Sequence, residues 1–346
     1  VRQSKLTFPN RLVLKNDILW MIKDGQAHEV RSINSRSSAK IIDAIKNNRG
    51  SDGQTQALSL AYFDYLGYYF ISKYFFFPKE YTVETADEIS VLAGSVTPLG
   101  ANNIKKTSKS IIQNKNNYLT SLDNSDYLRI AKFQKSDRKF FKEVMNHVLA
   151  NSPDNLIIDL RGNGGGDRKA TTILTKHLVN ESFQYAILQP KLKVGKYLSG
   201  KGKFFLFLSK LKYNLGDFYK KRKGAYRYKY KKAKAIYKGN IYVLTDGMTA
   251  SASTMVTSWL KQYSSAIFVG TQASGGYSGN NGGTFPIVTL PNSKATVRFP
   301  AYRLILDADS NFDQGIVPNH IIAQSLEDIM NNRDAALDMV YRLIED

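Results

Sequence analysis

Asn155 to Asp167 reads Asn-Leu-Ile-Ile-Asp-Leu-Arg-Gly-Asn-Gly-Gly-Gly-Asp. Its apolar run, Leu156 to Leu160, is short and continuous, as in a strand covered on both faces, and such strands belong to largely parallel sheets. The glycines that follow place bare backbone N–H groups at the strand end, where a turn can aim them at a ligand. A second segment repeats the plan: Ile241 to Leu244 is another apolar run, and Thr249 to Thr254 reads Thr-Ala-Ser-Ala-Ser-Thr. That is a strand, a turn and a serine at a helix start. The helix from Ser251 carries Met255, Val256, Trp259, Leu260 and Tyr263 on one face. The two segments read as the halves of a serine hydrolase site.

Outward from this pair, strands and helices alternate. Tyr127 to Phe133 alternates like a strand, Phe140 to Leu149 and Thr171 to Val179 have helical spacing, and Ala266 to Val269 is a further strand. This order predicts an α/β domain with largely parallel pairing. The first hundred residues read as a smaller mixed unit. Arg11 to Ile22 is a hairpin about Asn16-Asp17, His28 to Asn34 a strand, Ser37 to Ile45 a helix, and an aromatic-rich helix runs through Ser72 after Ser51-Asp52-Gly53. Tyr81 to Thr85 and Ile89 to Leu92 read as strands. Gly100 to Asn117 is polar and without periodicity, which sets the expected boundary: residues 1–117 form the N-terminal unit with its linker, and residues 118–346 the core.

Composition excludes several classes. Hydrophobic residues at 42% and charged residues at 23% are ordinary for a globular protein and argue against disorder over the whole chain. No run reaches the roughly 18 uninterrupted apolar residues of a membrane span; Tyr62 to Phe77 comes nearest and is broken by Asp64 and Lys73. With no cysteine, disulfides, thiolate zinc sites and a cysteine nucleophile are excluded. Val1 is not an initiator methionine and no signal-peptide pattern is present, so the chain reads as processed or trimmed. The net charge of +20 is concentrated: Lys191 to Lys238 holds 17 Lys and Arg against the single acid Asp217, a net +16. This is one basic insertion, at about residues 190–238, in an otherwise near-neutral chain. Its interleaved aromatics, among them Phe204, Phe207, Tyr226, Tyr228 and Tyr230, fit amphipathic helices with a core-facing aromatic side. Attraction to an anionic membrane surface or another polyanion is the alternative. Nucleic acid is the least favoured partner, since no nucleic-acid module is recognisable.

The two signatures resemble those of the S41 serine peptidases, the C-terminal processing or tail-specific proteases and their tricorn-like relatives. The likeness runs from about Tyr127 to the C-terminus, where Gly315-Ile316-Val317-Pro318-Asn319-His320 is similar to that family's closing Gly-Val-x-Pro-Asp turn. Val30-Arg31-Ser32-Ile33-Asn34 is similar to the Ile-Asn stretch of a PDZ-like domain. The basic insertion and Gly275 to Gly283 resemble members of the Bacteroidetes type. The resemblance implies a ClpP/crotonase-like core preceded by a PDZ-like or mixed α/β unit. It further implies a peptidase acting on a peptide or protein substrate bound between the two units, without metal or organic cofactor, outside the cytoplasm in the periplasm or envelope.

Carried over residue by residue, the family pattern puts the nucleophile at Ser251, the first serine of Thr-Ala-Ser-Ala-Ser. A serine at a helix start has free N–H groups and the positive end of the dipole beside it, both of which favour a developing oxyanion. The expected donors are the N–H of Ala252 and that of Gly165 or Gly166. The simpler reading makes Thr249, Ser251 and Ser253 helix caps. Asp159 and Arg161 are expected to hold a turn through charge-assisted hydrogen bonds. Serine also needs a base. Processing proteases of this family use a lysine at a position that falls in Gly275-Gly276 here, and the Glu that often follows Ser-Ala-Ser is Thr254. Of the four histidines only His320 lies near the family's functional elements, with Asp313 as an acidic partner; otherwise the base lies outside this chain, in a histidine-bearing segment ahead of Val1. If the base is lost altogether, the chain is a non-catalytic peptide-binding homologue.

Overall fold

The structure is a computed structural model and describes residues 6–96, 110–122, 124–190, 198, 200, 202–204, 207–208, 220–222, 225–282, 285–290, 292–310 and 314–345. The N-terminal unit begins with an antiparallel meander, β1 (Arg11–Lys15), β2 (Ile18–Lys23) and β3 (Gln26–Ile33), with the short β4 (Arg36–Ser37) paired to β3. The β1–β2 hairpin turns at Asn16 and Asp17, both at positive φ, as a two-residue turn matched to strand twist requires. Helices α1 (Ser38–Lys46) and α2 (Ala57–Tyr74) follow, and β5 (Glu80–Thr85) with β6 (Ile89–Ala93) complete the sheet in the order β1-β2-β3-β5-β6. Leu12, Met21, Val30, Ile33, Ile41, Phe63 and Tyr81 close its core. The expected hairpin, strands and helices of this unit are all present.

The core sheet begins earlier than the expected boundary. Its edge pair, β7 (Ile112–Asn114) and β8 (Asn117–Leu122), lies partly inside the stretch read as linker. Strand β7 is short, polar and at the sheet edge, while β8, buried from Asn117 to Thr120, mixes polar with apolar residues, so the pair lacks an unbroken apolar run. They are followed by β9 (Ser125–Arg129), α3 (Arg138–Asn151), β10 (Asn155–Asp159) and α4 (Arg168–Thr175). Next come β11 (Phe183–Pro190), β12 (Lys220–Arg222), β13 (Ala225–Tyr230), β14 (Asn240–Thr245), α5 (Ala252–Tyr263) and β15 (Ile267–Gly270). The last elements are β16 (Gly279–Gly282), β17 (Ile287–Thr289), β18 (Thr296–Arg298), β19 (Tyr302–Ile305), β20 (His320–Ile321), α6 (Leu326–Met330) and α7 (Ala335–Glu345).

The core sheet runs β20-β15-β14-β10-β9-β8-β7, parallel from β20 to β9 and antiparallel beyond. Strand β10 is its centre, and all five of its residues are buried, the apolar Leu156 to Ile158 together with the polar Asn155 and Asp159 at its ends. Alternate residues divide between the two faces. Leu156, Ile158, Val243 and Phe268 meet Phe141, Val144, Leu174, Met255 and Trp259 of α3, α4 and α5. Ile157, Tyr242, Leu244 and Val269 face Ala336 and Val340 of α7.

A second, antiparallel sheet, β12-β13-β11-β19-β16, carries the described end of the basic insertion. Here the expectation of amphipathic helices needs correction. Pieces at 202–204 and 207–208 are helical, but Phe204 and Phe207 are exposed instead of core-facing. Ala225–Tyr230 is a strand paired with both β11 and β12. Tyrosine at every second position, 226, 228 and 230, is the strand period, which the high lysine content obscured. The rest of the insertion lies outside the described residues.

Candidate active site

Asp159 ends β10, and Thr245 ends β14 beside it. Each strand is then followed by a loop, and the two loops meet. Ser251 stands at the head of α5 with φ 58° and ψ −119°, a region strained for any residue but glycine. Its side chain is exposed, and its hydroxyl does not cap the helix. Strain without a capping bond sets aside the simpler reading of Ser251 as a helix cap; the backbone is bent to present the hydroxyl outward. Thr249, by contrast, does serve locally: its Oγ1 accepts from the Asp246 N–H at 3.1 Å and donates to the Leu160 carbonyl at 3.1 Å, lashing the second loop to the end of β10.

The glycine turn lies directly against this elbow. A Cβ on Gly165, at φ +96°, would sit 2.6 Å from the Ala252 nitrogen and 2.8 Å from Ser251 Cβ, so only glycine lets the two loops touch. Five hydrogen bonds around it fix the turn. Asn163, fully buried, donates from Nδ2 to the Ile130 carbonyl at 2.8 Å, and its Oδ1 accepts the Gly165 N–H at 2.9 Å. Its own carbonyl accepts from Ala250 N–H at 3.2 Å. The Phe133 N–H donates to the Gly165 carbonyl at 3.2 Å, and Asp167 N–H to the Phe133 carbonyl at 2.7 Å. The Gly165 amide is therefore occupied. Those of Gly166 and Ala252 are bonded to no other described residue.

Asp159 and Arg161 are structural, as expected. The Asp159 carboxylate accepts from the Arg161 N–H at 2.9 Å, from the Arg161 guanidinium at 2.8 and 3.1 Å, and from the Tyr127 hydroxyl at 2.6 Å. Arg161 also forms a bidentate pair with Asp334, just before α7, at 2.7 and 2.8 Å. Burial alone would lift the Asp159 carboxyl; Arg161 and Arg129 beside it, with the hydrogen bonds, hold it far below the usual carboxylate range. The group stays an anion that pins the strand end and α7.

His320 is not brought to Ser251. It pairs in register with Val269 on the edge strand β20, two strands and roughly 10 Å from β14. Register partners in a sheet share a face, and Val269 belongs to the face that packs on α7, as does Ile322 two residues after His320. Helix α5, with Ser251 at its head, packs on the other face. Asp313 lies outside the described residues.

Residues that were not singled out in the sequence complete the site. Asp246 binds both loops, and Tyr65 of α2 donates to it at 2.9 Å. Asp52, in the Ser51-Asp52-Gly53 punctuation, accepts the Gly276 N–H at 2.8 Å and donates its own N–H to the Ser274 carbonyl at 3.1 Å. The N-terminal unit thus grips the core on two sides of the elbow. Gly275 lies against the elbow helix: a Cβ there would be 2.2 Å from Thr254 Oγ1. A polar turn residue between glycines was a readable signal for Asn163; nothing in the pattern of α2 distinguished Tyr65 from the aromatics around it.

A cleft of about 1020 Å³ does lie between the units, lined by α2, by Tyr118 and Tyr127, by Asp246 and by α7. Ser251 is not among its walls. Among the described residues no cluster of acids and histidines could hold a metal ion, and no helix is long and apolar enough to cross a membrane.

The sequence pattern of peptidase family S41 matches residues 125–322, a span that takes in both loops. No curated protein sequence matches the chain. Among solved structures, mature CPAF complexed with lactacystin aligns with 98% of this chain and 82% of its own at TM-score 0.63 and 14% identity, which shows a shared fold. A candidate peptidase from Parabacteroides merdae is 19% identical over 66% of this chain, which spans 64% of that one, at TM-score 0.47. The photosystem II D1 C-terminal processing protease aligns over 97% of this chain and 79% of its own at 12% identity and TM-score 0.42. The core has the α/β, ClpP/crotonase-like fold that it shares with mature CPAF, and by the family match over more than half its length the chain belongs to peptidase family S41.

Proposed function

We propose that this chain is a serine peptidase that cleaves peptides through an acyl-enzyme on Ser251. The observation that carries the reading is the strained, exposed Ser251 beside two amides that bond no other described residue. In the first step Ser251 Oγ attacks a peptide carbonyl carbon, and the carbonyl oxygen becomes an oxyanion. The N–H groups of Ala252 and Gly166 receive that charge, with the positive end of α5 behind them. Gly165 supports the pocket by its lack of a side chain; its own N–H is engaged by Asn163. Collapse of the tetrahedral intermediate breaks the C–N bond as the base returns the Ser251 proton to the leaving nitrogen, and water, giving up a proton to the same base, then hydrolyses the acyl ester and restores the hydroxyl. The exposed position of Ser251 leaves its proton open to a base approaching from the solvent side, and His320, on the far face, is not assigned that role. With glycine at 275 and 276, the chemistry proceeds without the family's usual lysine. The family likeness supports, as part of the same proposal, an activity outside the cytoplasm.

The test is labelling by a fluorophosphonate. We expect covalent modification of the wild type that is abolished in Ser251→Ala. A folded wild type that stays unlabelled at high probe concentration would refute the catalytic reading and leave a non-catalytic peptide-binding homologue in its place.

A further inference from the structure

Asp246 sits just past the end of β14 and accepts from four donors that belong to three different parts of the chain. Both carboxylate oxygens accept the Gly162 N–H at 3.0 Å, at the start of the glycine turn. Oδ1 also accepts the Met248 N–H at 2.9 Å and the Thr249 hydroxyl at 3.3 Å, at the start of the elbow. Oδ2 accepts the Tyr65 hydroxyl at 2.9 Å, from the N-terminal unit. The Tyr65 ring also lies over the turn, since a Cβ on Gly162 would be 3.2 Å from its hydroxyl and 3.3 Å from its Cζ.

The geometry has a direct chemical consequence. One oxyanion donor, Gly166, hangs from the glycine turn; the other, Ala252, and the nucleophile hang from the elbow. Their separation is set where the two loops are tied together, and Asp246, alongside the Thr249–Leu160 and Ala250–Asn163 bonds, is a side chain that ties both. We propose that Asp246 is a positioning residue for the oxyanion pocket, and that the Tyr65 hydroxyl couples the N-terminal unit to the reactivity of Ser251. This rests on the reading of Ser251 as nucleophile. Neither residue touches the reacting atoms; each acts through the backbone amides it holds. The surroundings make the tie sensitive. Burial lifts the Asp246 carboxyl, and the nearby Asp159 charge adds to the lift, while the Gly162 amide, Tyr65 and Arg161 pull it down. Loss of the Tyr65 bond removes one of the few groups that favour the anion.

The experiment compares wild type, Tyr65→Phe and Asp246→Asn by fluorophosphonate labelling and by hydrogen exchange. Tyr65→Phe keeps the ring and removes one hydrogen bond to a charged acceptor. It is expected to lower kinact roughly tenfold with KI unchanged. Asp246→Asn turns an amide donor toward the Gly162 N–H and is expected to lower kinact roughly a hundredfold. In Tyr65→Phe the amides of 162–166 and 248–252 are expected to exchange faster, while global melting stays close to wild type. Exchange is read without any catalysis, so faster exchange in an enzyme that never labels supports the tie and refutes only the peptidase reading. Should Asp246→Asn fail to fold, Tyr65→Phe decides alone. Unchanged exchange in both loops together with unchanged kinact overturns the proposal, as does a loss expressed only in KI.

Discussion

Replacing Gly165 with alanine is the sharpest test of how the two loops meet. Two costs add. An alanine at φ +96° bears the strain of a conformation that L-residues rarely adopt, about 1–3 kcal/mol. Its Cβ would also lie 2.6 Å from the Ala252 nitrogen, 2.8 Å from the Ala250 carbonyl oxygen and 2.8 Å from Ser251 Cβ. Two of these are backbone atoms of the elbow, so no rotamer change relieves the overlap, and overpacking of this kind costs about 1–3 kcal/mol more. The expected loss of stability is therefore about 2–6 kcal/mol. Since the elbow must retreat to make room, Ser251 moves relative to Gly166, and a displacement near 1 Å is worth on the order of a hundredfold in rate. The neighbouring glycine supplies the control: a Cβ on Gly164 meets nothing within 4 Å. Gly164→Ala should stay within about 0.5 kcal/mol of wild type. The assay is denaturant unfolding of both variants, paired with fluorophosphonate labelling rates. If Gly165→Ala matches Gly164→Ala in both stability and labelling, the two loops do not meet as described.

Further outcomes follow from the same contacts. Asn163→Ala strands the buried Gly165 N–H, at about 1–3 kcal/mol, and leaves the Ile130 carbonyl only its 3.4 Å bond from Arg129 Nη1; denaturant unfolding should register the loss, together with reduced labelling. The Asp159 carboxyl is held below its unfolded value, so its stabilisation is complete above about pH 4 and is lost as pH falls from there. Acid unfolding of Asp159→Asn should accordingly have a shallower dependence on pH below 4, and an acid limb as steep as that of wild type would contradict this. The net +16 of residues 191–238 predicts adsorption to anionic vesicles at low ionic strength that weakens steeply with added salt. No adsorption at low salt, measured by co-sedimentation, removes the electrostatic reading.

What was legible in the sequence follows the strength of each local signal. Leu156 to Leu160 announced a doubly covered strand because Leu156, Ile157 and Ile158 are consecutive apolar residues that both faces of the sheet must cover, with Asp159 the one polar exception. The helix after Ser251 was readable because Met255, Val256, Trp259 and Leu260 all face one core. The polar edge strand β7 carried no such demand, β8 mixes Asn117 and Thr120 with its buried Tyr118 and Leu119, and part of the pair passed for linker. In the insertion, lysine content drew the eye to helices where alternating tyrosines spelled a strand. The nucleophile loop was legible from its motif, and the base was not. Tyr65 and Asp246 are 181 residues apart, and the bond between them exists only once the two units are packed. His320 misled because nearness to a motif along the chain says nothing about which face of a sheet a residue takes.

The separation of the cleft from Ser251 bears on how small molecules for this protein would be found. The cleft opens on the side of the sheet where Tyr118, Tyr127 and α7 pack, while the serine heads a helix on the other side. A compound filling the cleft and a serine-directed probe can occupy the protein together. A screen that scores displacement of the probe would pass over every cleft ligand. Such ligands would show themselves instead as a changed maximal labelling rate at saturating probe, a noncompetitive signature that reports on pressure against Tyr65 and Asp246, both of which line that cleft.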